Sequence, residues 1–195
     1  MVWQRTLLLL VLGLSSLARA DVPQAGSPWA IETDLLHRRL VIDDLASWNP
    51  QQKRWQPLVS LPSDATPSVT VLHLWSPRCA PCVDELPLLA RLLDAWQREQ
   101  SVRFLLVADH EGDGSDLVPW VRSNPALWRS RPLLRVRSDK LRDQLGVQVQ
   151  PLTLLIDDQH VIRQVFVGPL KGRSLGSAVT RLLSASSSHK PSSTR

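Results

Sequence analysis

Apolar residues fall along this chain in short β-branched runs separated by helix-spaced stretches and turn residues, a pattern that predicts alternating strands and helices. Val69-Thr70-Val71-Leu72-His73-Leu74-Trp75 is apolar and β-branched enough for a buried strand. Residues 79–99 are helix-patterned, with Leu86, Leu89, Leu93 and Trp96 on one face. Pro87 is expected to kink that helix, because it lacks the N–H for an internal bond. Residues 102–108 read as a second buried strand, and 115–123 as a helix with Ser115 as N-cap. A short strand at 133–136 and a short helix at 140–145, stopped by Gly146, come next. Residues 152–156 and 161–167 form two strands about an Asp157-Asp158-Gln159-His160 turn, and 175–183 a closing helix.

The first third is less regular. Residues 21–28 are polar and proline-containing and read as a linker, while Leu40, Val41 and Ile42 suit a strand within 35–45. Turn residues between Trp48 and Trp55 predict a hairpin or an ordered loop. The serine-rich tail from Ser184 reads as disordered, and no internal repeat is visible.

The extreme N-terminus has the form of an export signal. Arg5 supplies charge, residues 7–12 an apolar core, and Ala18-Arg19-Ala20 a small-x-small cleavage pattern. The run is well short of the ~20 residues of a spanning helix, so an uncleaved anchor is the weaker alternative. Cleavage after Ala20 would lower the formal charge from +5 to +3, with 21 basic residues against 18 acidic. That mixed surface has no basic block interleaved with aromatics and gives little support to nucleic-acid binding. The predicted organisation is a signal peptide at 1–20, a linker and strand or hairpin extension at 21–62, one domain at 63–184 and a disordered tail at 185–195.

The only two cysteines lie at the end of the 69–75 run, in Ser76-Pro77-Arg78-Cys79-Ala80-Pro81-Cys82. Two thiols alone cannot complete a tetrahedral thiolate zinc site, and the five histidines (His37, His73, His110, His160 and His189) are scattered. A structural staple is the bland alternative, but so tight a ring removes little loop entropy. A redox-active dithiol is the natural reading, and no cofactor or metal is expected. A helix starting at Cys79 would favour its thiolate, making Cys79 the attacking nucleophile. Cys82, one turn inward, would then resolve the mixed disulfide. Pro81 has a fixed φ suited to the first helical turn. Arg78 either supports the thiolate or is merely exposed. In an exported, oxidising setting such a dithiol needs an electron donor or acceptor.

Residues 69–75 followed by Cys79-Ala80-Pro81-Cys82 resemble the first core strand, tryptophan and dithiol of the thioredoxin superfamily. The continuation Val83-Asp84-Glu85-Leu86-Pro87 resembles its extracytoplasmic branch, which includes TlpA and ResA. The likeness extends from near Thr66 to near Leu183; residues 29–60 depart from the family pattern. It implies an α/β thioredoxin fold, with a mixed central sheet flanked by helices, an N-terminal extension and a TlpA-like strand-and-helix insertion before Pro151.

The same resemblance implies a protein disulfide oxidoreductase in the periplasm or another extracytoplasmic space. It would reduce disulfides of exported proteins, apocytochromes among them, with electrons from a membrane thiol–disulfide donor. Gly146-Val147-Gln148-Val149-Gln150-Pro151-Leu152-Thr153 resembles the loop in which a cis-proline faces the dithiol; a trans turn-proline is the ordinary alternative. Gln150 and Pro151 would then pair with substrate, although the family more often has a smaller or β-branched residue than Gln150. Glu85 would adjoin the dithiol and influence thiol protonation, or else be a solvated helix-start acid. His73 falls where thioredoxins carry a buried aspartate; it either relays a proton to Cys82 or is a satisfied core histidine. Trp75 would pack beneath the dithiol. The competing reading is a copper-delivery module using the same two cysteines, with His160 the one remotely suitable extra ligand.

Overall fold

The computed structural model describes residues 27–58, 67–96, 101–109, 114–128, 132–170 and 172–188. Helix α1 (Pro28–Leu35) comes first, then strands β1 (Leu45–Asn49), β2 (Arg54–Pro57) and β3 (Val69–Trp75). Helix α2 (Ala80–Trp96), β4 (Val102–Ala108) and α3 (Leu117–Ser123) follow. After a 3-10 turn at Pro125–Leu127 come β5 (Leu134–Val136), α4 (Lys140–Leu145), β6 (Leu152–Asp157), β7 (Ile162–Val167) and α5 (Gly172–Ser188). The strands form one seven-stranded sheet in the order β2-β1-β5-β4-β3-β6-β7.

The sheet is mixed: β3 runs parallel to β4 and antiparallel to β6, with all seven residues buried. Successive side chains point to opposite faces. Leu72 and Leu74 meet Ile31 and Leu35 of α1 and Leu141 and Leu145 of α4. Val69, Val71 and Trp75 meet Leu86, Leu89 and Leu93 of α2 and Leu175 and Val179 of α5. His73 shares the second face, so a polar group is carried into the layer between the sheet and α2.

Several expectations hold. The Trp48–Trp55 segment is a hairpin, with those two residues paired across β1 and β2 and their rings 5.6 Å apart. Asn49 Oδ1 accepts the N–H groups of Gln51 and Gln52 at 3.0 and 2.9 Å, closing the turn through its own side chain. Helix α4 ends where Gly146 adopts φ 68° and donates its N–H to Arg142 O, the left-handed cap that favours glycine. The extra chain before Pro151 does form a strand and a helix, β5 and α4.

Others are corrected. Residues 40–42 are not a strand, because other partners take their backbone groups. Strand-type pairing is limited to an isolated antiparallel bridge of Arg39 with Val161, closed by Leu40 N–H to His160 O, after which Val41 exchanges two bonds with the Gln144 side chain. The strand begins instead at Leu45. Of the 21–28 stretch read as a linker, Ser27 and Pro28 are described and belong to the start of α1: Ser27 Oγ accepts from Ala30 N–H and Pro28 occupies the first turn. Ser115 is not the N-cap of α3; Asp116 holds that position and makes no side-chain cap bond. Helix α5 continues to Ser188, five residues beyond the expected end. Apart from these corrections, Pro87 lies in the interior of α2. The expected signal peptide at 1–20 and the tail from His189 lie outside the described residues.

Candidate active site

The junction between β3 and α2 builds the site. Ser76 O accepts the N–H of Cys79 at 3.1 Å and Ser76 Oγ that of Arg78 at 3.2 Å, turning the chain sharply after Trp75. Cys79 directly precedes α2, and its carbonyl accepts the N–H of Val83 at 3.1 Å as the first intrahelical bond. That is the N-cap position, where a side chain meets unpaired helix N–H groups. The Cys82 N–H donates to Cys79 Sγ at 3.2 Å. Cys79 and Cys82 are joined as a disulfide with Cα atoms 5.2 Å apart. Pro81 sits exposed in the first turn, where its missing N–H costs nothing. Cys79 is partly buried and Cys82 fully buried, so Cys79 is the more accessible of the two.

Trp75 is fully buried and packs in the same cluster as Cys82, with the rings of Trp120 and Trp128 5.1 and 5.4 Å away. Arg78 pairs with Asp116 at 3.3 Å on the surface. Such an exposed pair contributes little to stability.

One turn beyond Cys82, Glu85 is 6% exposed, which removes the solvated-acid alternative. Its Oε2 accepts the N–H of Leu170 at 2.7 Å, and its Oε1 lies 3.4 Å from His73 Nε2. That contact is not aligned as a hydrogen bond. His73 is fully buried, and its Nδ1 is 2.8 Å from Thr153 Oγ1, directly across the β3–β6 ladder. Burial lowers the His73 pKa to about 3. Burial also raises that of Glu85, against the opposing bond from Leu170. Both directions favour uncharged forms, so the arrangement can keep a proton on the carboxyl beside a neutral imidazole. In that state Nδ1 is paired with the Thr153 hydroxyl and Nε2 faces the carboxyl. Thr153→Val would leave Nδ1 without its partner and is expected to cost about 1–3 kcal/mol in urea unfolding. Thr153→Ser, which keeps the hydroxyl, should lose much less.

The Gln150–Pro151 peptide is cis, as the resemblance implied. Pro151 is buried immediately before β6, and its carbonyl accepts the N–H of Gly168 at 2.9 Å. Gln150 does not point freely to solvent. Its Nε2 donates to the main-chain O of Asp109 at 2.6 Å and to Asp109 Oδ2 at 3.1 Å. Asp109 is itself bound by Arg142 Nε at 2.6 Å. Asp109, Arg142, Thr153 and Leu170 escaped the sequence reading. Thr153 alone had a local signal, since it alternates with Pro151 along the strand; the rest are joined only by tertiary structure.

His160 does not join the site. It lies in the β6–β7 turn with φ 63°, next to Asp157, which pairs with Val69 at the start of β3, whereas the dithiol follows the end of that strand. Among the described residues no group of three or more His, Cys, Asp and Glu side chains is arranged to hold a metal ion. The copper-delivery alternative therefore loses its extra ligand.

No protein-family model matches the chain, and none of the curated proteins does. Solved structures match well. A thiol-disulfide isomerase from Corynebacterium glutamicum superposes with a TM-score of 0.57 at 18% identity, over 76% of this chain and 97% of that one. The chain has the thioredoxin fold. StoA from Bacillus subtilis gives a TM-score of 0.53 at 18% identity, over 71% of this chain and 98% of its own. The exposed lipoprotein thioredoxin Etrx1 of Streptococcus pneumoniae strain TIGR4 gives 0.54 at 18%, over 69% and 97%. Within this thioredoxin fold the dithiol stands at the β3–α2 junction and the cis-proline at the start of the neighbouring strand β6. No helix among the described residues is long and apolar enough to cross a membrane.

Proposed function

We propose that this chain is an exported thiol–disulfide oxidoreductase that reduces disulfides of extracytoplasmic proteins, with apocytochromes as one candidate class. The observation that carries the reading is the N–H of Cys82 aimed at the sulfur of the partly exposed Cys79 at the start of α2. In the reduced protein that donor and the helix dipole favour the Cys79 thiolate. The thiolate attacks one sulfur of a substrate disulfide, the S–S bond breaks, and the first substrate sulfur leaves as a thiolate. Cys82 then loses its proton and attacks Cys79 Sγ, releasing the second substrate thiol and closing the Cys79–Cys82 disulfide. Two electrons pass to the substrate. A membrane thiol–disulfide donor returns them to the protein.

Glu85, one helical turn beyond Cys82 and in contact with His73, is the candidate acceptor and store for the Cys82 proton. Gln150 and Pro151 supply the backbone along which an extended substrate lies. The names of the solved relatives from Corynebacterium glutamicum and Streptococcus pneumoniae support dithiol chemistry, and the signal-like N-terminus supports export. Equilibration of the protein in redox buffers, followed by thiol alkylation, tests the assignment. A two-electron couple near about −270 mV is expected for a reductant, whereas a value near about −120 mV would reverse the direction. A disulfide that stays closed across that whole range would return the pair to a structural role.

A further inference from the structure

Asp109 directly follows β4, and its N–H donates to Trp75 O at 2.8 Å, so it lies level with the chain that turns into the dithiol. Its carboxyl group is nearly buried and has two side-chain donors. Arg142 Nε binds Oδ1 at 2.6 Å, and Gln150 Nε2 binds Oδ2 at 3.1 Å while also reaching the main-chain O at 2.6 Å. Two acceptors fix which end of the Gln150 amide carries the nitrogen. Arg142 is in turn held at 2.9 Å by Asp139, the N-cap residue of the same helix. Helix α4 is thereby connected, through one carboxylate, to the residue that precedes the cis-proline.

The consequence concerns substrate. The Gln150 side chain is committed inward, leaving its backbone as the part that can meet an incoming chain. The β3–β6 ladder stops at Leu74 and Leu152, so Gln150 lies beyond the last paired residue of that ladder. An extended polypeptide needs that edge held in one position, because ordering a loop on binding weakens association. A small disulfide needs only access to Cys79.

We propose that Arg142 and Asp109 form a latch that holds the Gln150–Pro151 edge in its substrate-receiving position, making Arg142 a positioning residue for polypeptide disulfides. The latch rests on the dithiol-exchange reading above. It also gives the inserted strand-and-helix element a part in recognition, since α4 carries the residue that sets the receiving edge.

Steady-state kinetics of the full protein with two substrates tests this, one a disulfide-linked extended peptide and the other an aromatic small-molecule disulfide. Arg142→Ala is expected to raise KM for the peptide about tenfold. Its rate with the small disulfide and the Cys79–Cys82 potential should match those of the wild type. Arg142→Lys keeps the charge without the planar fork and should recover part of the loss. Gln150→Ala removes the other end of the latch from a half-buried position and keeps the test open if Arg142→Ala fails to fold. It should raise the same KM, and the double variant should be no worse than the worse single one. Unchanged peptide KM in both single variants would overturn the latch. So would multiplicative effects in the double variant, or a parallel loss with the small disulfide. A wild type that exchanges neither substrate would instead overturn the exchange reading itself.

Discussion

Cys79→Ser is expected to reduce disulfide exchange to background, whereas Cys82→Ser should keep the first step and accumulate mixed disulfides. The difference follows from burial: Cys82 is 0% exposed, whereas Cys79 is partly exposed. It also follows from electrostatics. A free thiol with pKa ~8.5 is only a few per cent thiolate at neutral pH, and helix N-termini lower that value by one to several units. The gain in thiolate is largely offset by lower intrinsic nucleophilicity, so the net acceleration at Cys79 is on the order of a few-fold. Serine has no comparable anion at neutral pH, and the loss in Cys79→Ser is therefore complete. In Cys82→Ser the mixed disulfide persists because nothing attacks it from inside. Non-reducing electrophoresis and intact-mass measurement of the two variants after incubation with a disulfide-bonded protein distinguish these outcomes. Equal trapping by both variants, or activity retained in Cys79→Ser, would remove the assigned roles.

The parts of this site that were legible in the sequence are those carried by short-range chemistry. The Cys79–Cys82 spacing, the strand before it, Pro151 before another apolar strand and Gly146 after a helical stretch are each local patterns with one dominant physical reading. The errors arose where tertiary partners override local preference. Leu40, Val41 and Ile42 form an apolar run that suits a strand, but the side chain of Gln144, far along the chain, takes both backbone groups of Val41. Helix α1 had a visible start signal in Ser27-Pro28, yet Pro28 with Pro23 and the polar residues before it resembles a linker just as well. The Asp109–Arg142–Gln150 group spans three separate segments, and no periodicity brings those residues together. His73 was legible as an oddity, a histidine inside an apolar strand. Its partners were not, because Thr153 meets it only through the register of β3 with β6, and Glu85 only through the packing of α2 on the sheet.

The buried pair makes stability depend on pH in a specific window. Burial lowers the His73 pKa from 6.5 to about 3 in the folded chain. Between those values the unfolded chain binds a proton that the folded chain refuses, so this contribution is complete above 6.5 and is lost as pH falls. The expected loss is on the order of 3–5 kcal/mol by the bottom of that window. Glu85 acts in the opposite sense: burial raises its pKa above 4.5, and its contribution fades as pH rises through the raised value. His73→Gln should therefore flatten the acid limb of the stability curve, and Glu85→Gln the limb above it. Urea unfolding across a pH series, taken as the difference between each variant and the wild type, isolates each group from the other carboxylates. A His73→Gln curve parallel to the wild type would mean that the imidazole binds its proton equally in the folded and unfolded chains, and would overturn the lowered pKa. The same carboxyl bears on redox chemistry. Once ionised, it lies one turn from Cys82 and opposes thiolate formation in the pair. Glu85→Gln should lower the thiol pKa by about one unit and raise the potential by ~30 mV, because stabilising the thiolate favours the reduced protein. Thiolate absorbance and redox titration of that variant should shift together. A shift in stability without one in the thiols would confine Glu85 to holding Leu170 and the sheet.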